Sequence, residues 1–257
     1  MRKICFHIQK GGVGKTSISG TVASGLARRG KKTIYVDVDP QGNASSWYCD
    51  ETIKNDIGDI LSGQAKLPEV IKEITPFLFM IPVIAIGGVL KKWSETELSA
   101  DPKAFEFFIQ DIAGLGFEYA VFDCSPSFSQ LERSVIAEMD EVVSPLTPEF
   151  FSVDGIEIFV AELRNIEQKY RRVILNEIIA LNMVNLSFSR HKAFQEELKK
   201  FNYKIFTIPQ DSKIAESQIA HKSLFDYAPT AKSIIYFDAL TEELIKNKKR
   251  MENGNKT

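Results

Sequence analysis

Gln9-Lys10-Gly11-Gly12-Val13-Gly14-Lys15-Thr16-Ser17 follows the apolar run Ile4-Cys5-Phe6-His7-Ile8, and the junction between the two decides the fold. An apolar run, a glycine loop and a helical pattern in that order read as strand, turn and helix N-terminus. Glycines at 11, 12 and 14 permit positive φ and close approach of the backbone to a ligand. The loop N–H groups then turn inward and the helix adds the positive end of its dipole, which together make a socket for phosphate. Lys15 falls where β- and γ-phosphates would lie, and the Thr16 hydroxyl is placed to ligate Mg²⁺. Gln9 stands where the general pattern, Gly-four residues-Gly-Lys-Ser/Thr, has its first glycine. The compact form Lys-Gly-Gly-Val-Gly-Lys-Thr describes the loop better. A glycine-rich turn without a ligand is the plain alternative, and the order of strand, loop, lysine, hydroxyl and helix speaks against it.

Two further strand ends carry acids. Thr33–Val38 reads as a buried parallel strand that runs into Asp37, Asp39, Pro40 and Gly42. Open α/β sheets place ligands at the carboxyl ends of their strands. Carboxylates two residues apart point to one side of a strand, so Asp37 and Asp39 can both face a single metal–phosphate site. Simple turn capping is the alternative. Tyr119-Ala-Val-Phe-Asp123-Cys124-Ser125-Pro126-Ser127 repeats the theme, an apolar strand ending on an acid. Asp123 is positioned to hold Mg²⁺ through water.

The motif Lys-Gly-Gly-Val-Gly-Lys-Thr-Ser resembles the deviant Walker A box of the ParA/MinD family of dimeric ATPases. Asp39-Pro-Gln-Gly-Asn43 resembles the partition ATPases of the ParA/Soj type, and 119–127 resembles the Walker B segment and second switch. The likeness extends from Ile4 to about Leu244. It implies an α/β fold, a single-domain P-loop NTPase with a mostly parallel twisted sheet and helices on both faces. It implies ATP and Mg²⁺ as ligands, held by Gly11, Gly12, Val13, Gly14, Lys15, Thr16 and Ser17, with Thr16, Asp37 and Asp123 around the metal. Lys10 is then the cation lent to the nucleotide of a second subunit, Lys15 serves its own, and Asp39 orients the attacking water. Asn182, at the end of the buried strand Ile178–Asn182, becomes the candidate for reading the adenine edge; Asn185 competes, and either can be a turn residue. Ser125 stands where the family commonly has a proline, in Asp-x-Pro-Pro, which should loosen the loop.

The resemblance further implies an ATP-dependent homodimer, non-specific double-stranded DNA as a partner, and a ParB-like or other cargo adaptor that stimulates weak hydrolysis. The location would be cytoplasmic and nucleoid-associated. The net charge is −2, which does not announce a nucleic-acid binder. Residues 190–250 nevertheless hold twelve Lys/Arg against eight Asp/Glu. A local basic surface can bind phosphates without base readout. Arg190 and Lys213 occupy regions where partition ATPases carry DNA-contacting basic residues; solvated helix faces are the alternative.

Length and composition set the remaining bounds. A chain of 257 residues with 44% apolar content suits one large α/β domain, expected over 1–245, followed by a polar, disordered tail over 246–257. No stretch reaches the ~18 apolar residues of a membrane span. A MinD-like membrane-associated division-site regulator is the rival reading. It would need a continuous apolar face near the C-terminus, whereas the stripe Ile234, Phe237, Leu240, Leu244 stops before Lys246. The chain begins on its first strand, so an operator-binding extension and transcriptional autoregulation are not expected. Cys5, Cys49 and Cys124 suit neither a disulfide framework nor a zinc site, and Cys124 lacks the companion that an iron–sulfur reductase requires. His7, His191 and His221 show no ligand spacing. The first helix is expected from about Thr16 to Arg29, short helices over 53–76, a surface loop over Lys91–Ala100, and a helix starting at Asp101-Pro102. Ile156, Phe159, Leu163 and Ile166 form a stripe expected to face the core.

Overall fold

The strands are β1 (Arg2–Phe6), β2 (Thr33–Asp37), β3 (Lys72–Thr75), β4 (Leu78–Ile81), β5 (Tyr119–Asp123), β6 (Glu141–Leu146), β7 (Leu175–Val184) and β8 (Lys204–Pro209). In the computed structural model, which describes residues 1–49, 52–149 and 152–254, they form one eight-stranded sheet in the order β3-β4-β2-β5-β1-β6-β7-β8. All neighbours pair parallel except β3, which runs antiparallel to β4 at the edge.

The helices are α1 (Lys15–Arg28), α2 (Asn43–Tyr48), α3 (Ile57–Leu61), α4 (Leu67–Val70), α5 (Leu90–Thr96), α6 (Ala104–Ala113), α7 (Gln130–Ala137), α8 (Ser152–Tyr170), α9 (Ser189–Leu198), α10 (Ser212–Ile219), α11 (Leu224–Tyr227) and α12 (Ile234–Gly254). They cover both faces. Side chains alternate along a strand, so β5 sends Tyr119 and Val121 into a core with α1 and α12, and Ala120 and Phe122 into a core with α6, α7 and α8. That two-sided burial is why β2 and β5 read as near-continuous apolar runs ending on an acid. The stripe Ile156, Phe159, Leu163, Ile166 is buried, as its spacing implies.

Four local expectations change. The stretch 53–76 holds the short helices α3 and α4 but ends in the edge strand β3. Lys91–Ala100 is helical through Thr96, because Leu90, Trp93 and Leu98 are buried while the lysines and glutamates between them face water. The next helix begins at Ala104 rather than at Pro102, with Asp101 Oδ1 accepting the Lys103 N–H at 3.3 Å. The polar run after 245 continues α12 through Gly254. Here Asn247 is buried and donates to Glu141 Oε1 at 2.8 Å, and the Lys248 ammonium lies 4.7 Å from the Tyr119 ring centroid. Those contacts tie the helix to the sheet end. Residues 255–257 of the expected tail, and Phe150 and Phe151, lie outside the described residues. Among the described residues no helix is long and apolar enough to cross a membrane.

Candidate active site

The carboxyl ends of the central strands converge by register. Phe6 pairs with Asp123 across β1 and β5, and Asp37 pairs with Asp123 across β2 and β5. The loop after β1 therefore opens directly over the acidic ends of its neighbours. Gly12 has φ 73° and Gly14 φ 86°, the left-handed region that glycine enters without steric cost. At Gly14 a second constraint acts. A Cβ there would lie 2.2 Å from Asn182 Nδ2. Above Gly11 and Gly12 a Cβ would meet nothing within 4 Å. The loop is thus tight beneath and open above, where α1 points its N-terminus.

Lys15, in the first turn of α1, is 7% exposed and its Nζ donates to the Lys10 carbonyl at 2.7 Å. Burial pulls its pKa below the ordinary lysine value, against the charges of Asp123 and Asp39. The Thr16 hydroxyl donates to Asp123 Oδ2 at 2.7 Å and the Ser19 hydroxyl to Asp123 Oδ1 at 3.0 Å. Asp123 is fully buried. Burial pushes its carboxyl up to about 7, with Asp39 adding to the rise and Thr16, Ser19 and Lys15 opposing it. Asp39 lines the cavity, and its carboxyl is raised by burial while the Gln41 N–H and Lys15 hold it down.

Asp37 departs from its expected place. Its Oδ2 accepts the Ser45 N–H at 2.8 Å and the Ser45 hydroxyl at 2.7 Å, and its Oδ1 accepts the Asp39 N–H at 3.1 Å. β2 ends at Asp37, so the alternation that would align it with Asp39 stops there. The side chain turns beneath the site, pins α2, and is raised by burial and by Asp123.

The cavity has a volume of about 830 Å³. Gly11, Gly12, Lys15, Thr16, Asp39 and Pro126 line it, and a second wall comes from Trp47, Met183, Gln218 and His221. Asn182 does not line it. Its Nδ2 donates to the Val13 carbonyl at 2.9 Å and it is 3% exposed, so it braces the loop from β7. Asn185 is the turn residue of the pair, its Oδ1 accepting the Ser187 N–H at 3.0 Å. This second wall was missed by sequence reasoning. Met183 carries φ 56°, and Gln218 of α10 reaches back to donate to the Ser17 hydroxyl at 3.0 Å. The helix start marked by Asp211, which caps Lys213 N at 3.1 Å, was the available signal for that wall.

The donor set fits a nucleotide and Mg²⁺. Glycine N–H groups and a buried ammonium suit phosphates, and Thr16 with Asp123 supplies a hydroxyl and a carboxylate side by side. Among the described residues no group of three or more His, Cys, Asp or Glu is placed to hold a metal alone. Mg²⁺ commonly takes one or two protein ligands and completes its shell with water and phosphate oxygens.

Lys10 sits at the rim, 28% exposed, with its Nζ 2.6 Å from Glu149 Oε2. Ser125 does not loosen the loop, because its hydroxyl donates to Glu132 Oε1 at 2.5 Å. Arg190 opens α9, stacked 5.4 Å from the Phe188 ring centroid, and Lys213 opens α10, paired with Glu216 at 2.7 Å. Both helices follow the carboxyl ends of adjacent parallel strands, so both residues share the sheet edge that carries the cavity. Cys124 neighbours Cys5, and both are buried in the core, which is not the subunit-bridging pair that an iron–sulfur reductase requires.

A model of the AAA domain matches residues 1–177. The chain is 42% identical over 246 residues to the uncharacterized protein BBD21 of Borreliella burgdorferi, covering 95% of this chain and 99% of that one. It is 27% identical over 248 residues to the chromosome-partitioning ATPase Soj of Thermus thermophilus, covering 95% and 96%. Among solved structures, the septum site-determining protein MinD complexed with Mg-ADP from Pyrococcus horikoshii has a TM-score of 0.77 at 22% identity, with 95% of each chain covered, a likeness of fold.

Proposed function

The chain belongs to the ParA/MinD-type P-loop ATPases, and from that premise we propose that it is an ATP-dependent dimeric switch that holds duplex DNA without base readout and partitions or positions a cargo. The observation that carries the reading is the division of labour between two lysines of one loop. Lys15 is buried among the acids of its own site, whereas Lys10 stands at the rim, 28% exposed and paired with Glu149.

In this reading the glycine N–H groups and Lys15 hold the triphosphate. Thr16 and Asp123 hold Mg²⁺, with Asp37 fixing the turn behind them. The metal, when bound, neutralises charge on the phosphate oxygens. Asp39 orients water toward the terminal phosphate. Lys10 of each protomer offsets charge developing on the other protomer's nucleotide, as an arginine finger does. The base lies along Met183, Gln218 and His221, with Asn182 bracing the loop rather than touching the adenine. Arg190 and Lys213 contribute to a basic rim that two copies of the chain would double. A ParB-like adaptor on the cargo stimulates hydrolysis and resets the switch, which cycles between cytoplasm and nucleoid. The name of the Thermus relative supports partition as the task.

The test is size-exclusion chromatography with light scattering on Asp39→Ala with Mg²⁺ and ATP, with and without unrelated duplex DNA. The expected result is a stable dimer that co-elutes with DNA. A monomer under these conditions rejects the switch, and a dimer that leaves DNA unbound rejects the DNA arm.

A further inference from the structure

Glu132, in the first turn of α7, is 3% exposed, and its charge is met by four neutral donors. Oε1 accepts the Ser125 hydroxyl at 2.5 Å. Oε2 accepts the Ser127 hydroxyl at 2.7 Å, the Ser129 hydroxyl at 2.5 Å and the Ser129 N–H at 3.0 Å. An N-terminal capping box accounts for the Ser129 N–H contact alone. Ser125 and Ser127 lie upstream of the cap, in the turn that joins Asp123 to α7. That turn carries Pro126, which lines the cavity, while Asp123 takes the Thr16 hydroxyl. An ionised carboxylate only accepts, so every serine hydroxyl here is committed as a donor in a fixed direction.

We propose that Glu132 is a positioning residue for hydrolysis: by holding Ser125 and Ser127 it fixes the turn after Asp123, so that Asp123 keeps its place beside Thr16 and Pro126 its place in the cavity wall. The inference rests on hydrolysis at this cavity. Glu132 itself does not line the cavity and acts through the turn. The arrangement explains the departure at 125. Where the related Asp-x-Pro-Pro form restricts the turn covalently, this chain does so with hydrogen bonds to a buried acid. Glu132 is also near enough for its charge to add to the rise that burial imposes on the Asp39 carboxyl.

Steady-state release of phosphate from Mg-ATP by the full chain, with duplex DNA present, tests the role. Glu132→Gln replaces one acceptor oxygen with a donor amide. It should lower kcat about tenfold, the scale of hydrogen bonds to a charged group, with KM for ATP within about twofold. Adding Ser125→Pro to Glu132→Gln should restore most of the lost kcat, because proline limits the same turn without the acid. A residue that merely capped α7 would gain nothing from a proline at 125. Unchanged kcat in Glu132→Gln, a change in KM alone, or a loss that Ser125→Pro leaves in place would each overturn the proposal. If Glu132→Gln fails to fold by circular dichroism, Ser127→Ala serves instead, since it keeps the acid and the α7 cap. It should then lower kcat about threefold, and full activity would overturn the role. A wild-type chain that releases no phosphate rejects the hydrolytic reading itself, whereas an active wild type beside an equally active Glu132→Gln rejects only the positioning role.

Discussion

Lys10 and Lys15 leave the same loop and enter opposite environments. Lys15 is buried, donates to the Lys10 carbonyl and faces the charges of Asp123 and Asp39. Lys10 is partly exposed and pairs with Glu149, whose side chain is 64% exposed. A buried ammonium with fixed partners is preorganised: most of its ordering and desolvation cost is met when the chain folds. A rim ammonium paired with an exposed carboxylate is exchangeable, since such pairs contribute only about 0–1 kcal/mol. One loop thus holds one ammonium in a buried setting and one in an exchangeable setting. The contrast teaches that position along a helix entry, not residue type, decides the environment a lysine meets.

The sharpest way to break this comparison is to remove each ammonium in turn. Lys15→Ala should weaken Mg-ATP binding about a thousandfold, because it leaves anionic oxygens and two acids without their buried cation. Isothermal titration giving near-normal affinity would show that the loop backbone suffices and that the two lysines do not differ. Lys10→Ala should leave affinity for ADP within about threefold and lower turnover about a hundredfold, less than an arginine finger because a lysine lacks the planar fork. A large loss of ADP affinity in Lys10→Ala would erase the distinction between the two residues.

The same contrast explains what was legible in the sequence. The loop and the strand ends at Asp37 and Asp123 were readable because each depends on neighbours along the chain or on strand order. Asp37 was misplaced because its orientation depends on Ser45, which arrives with α2. Asn182 was assigned to the base because nothing local reveals that β7 brings it against Val13. Trp93 and Asn247 drew helices out of polar runs through contacts made at long range. The second wall of the cavity depends on three separate segments meeting, Trp47 of α2, Met183 of β7 and Gln218 to His221 at the end of α10.

A third measurement concerns what lies behind the loop. His7 follows β1, is fully buried and packs 4.7 Å from the Phe128 ring centroid. Burial, aided by the Lys15 charge, lowers its pKa from 6.5 to about 3. Between those values the unfolded chain binds a proton that the native chain does not. Stability is therefore fully present above pH 6.5 and is lost as pH falls toward 3. The loss should approach about 1 kcal/mol per pH unit, or roughly 3 °C in Tm. His7→Leu should flatten that part of the Tm profile, measured by scanning calorimetry from pH 7 to 4.5. An unchanged slope would mean that other groups set it. Lys15 would then be no part of the acid response.

The smallest effect tests the movable lysine directly. If the Lys10–Glu149 pair competes with a partner's nucleotide, Glu149→Gln should favour the ATP-bound dimer by no more than a surface pair is worth, about fivefold in dimerisation constant. Screening acts on the same pair, so raising the salt should narrow the gap between wild type and Glu149→Gln. ADP affinity should not change, because Lys15 is untouched. Sedimentation equilibrium at two salt concentrations reads both quantities. A weaker dimer in Glu149→Gln would mean that the glutamate serves the interface rather than holding Lys10 back. Lys10 and Glu149 would then act as one unit at the rim, and the division between a fixed and an exchangeable lysine would have to be redrawn.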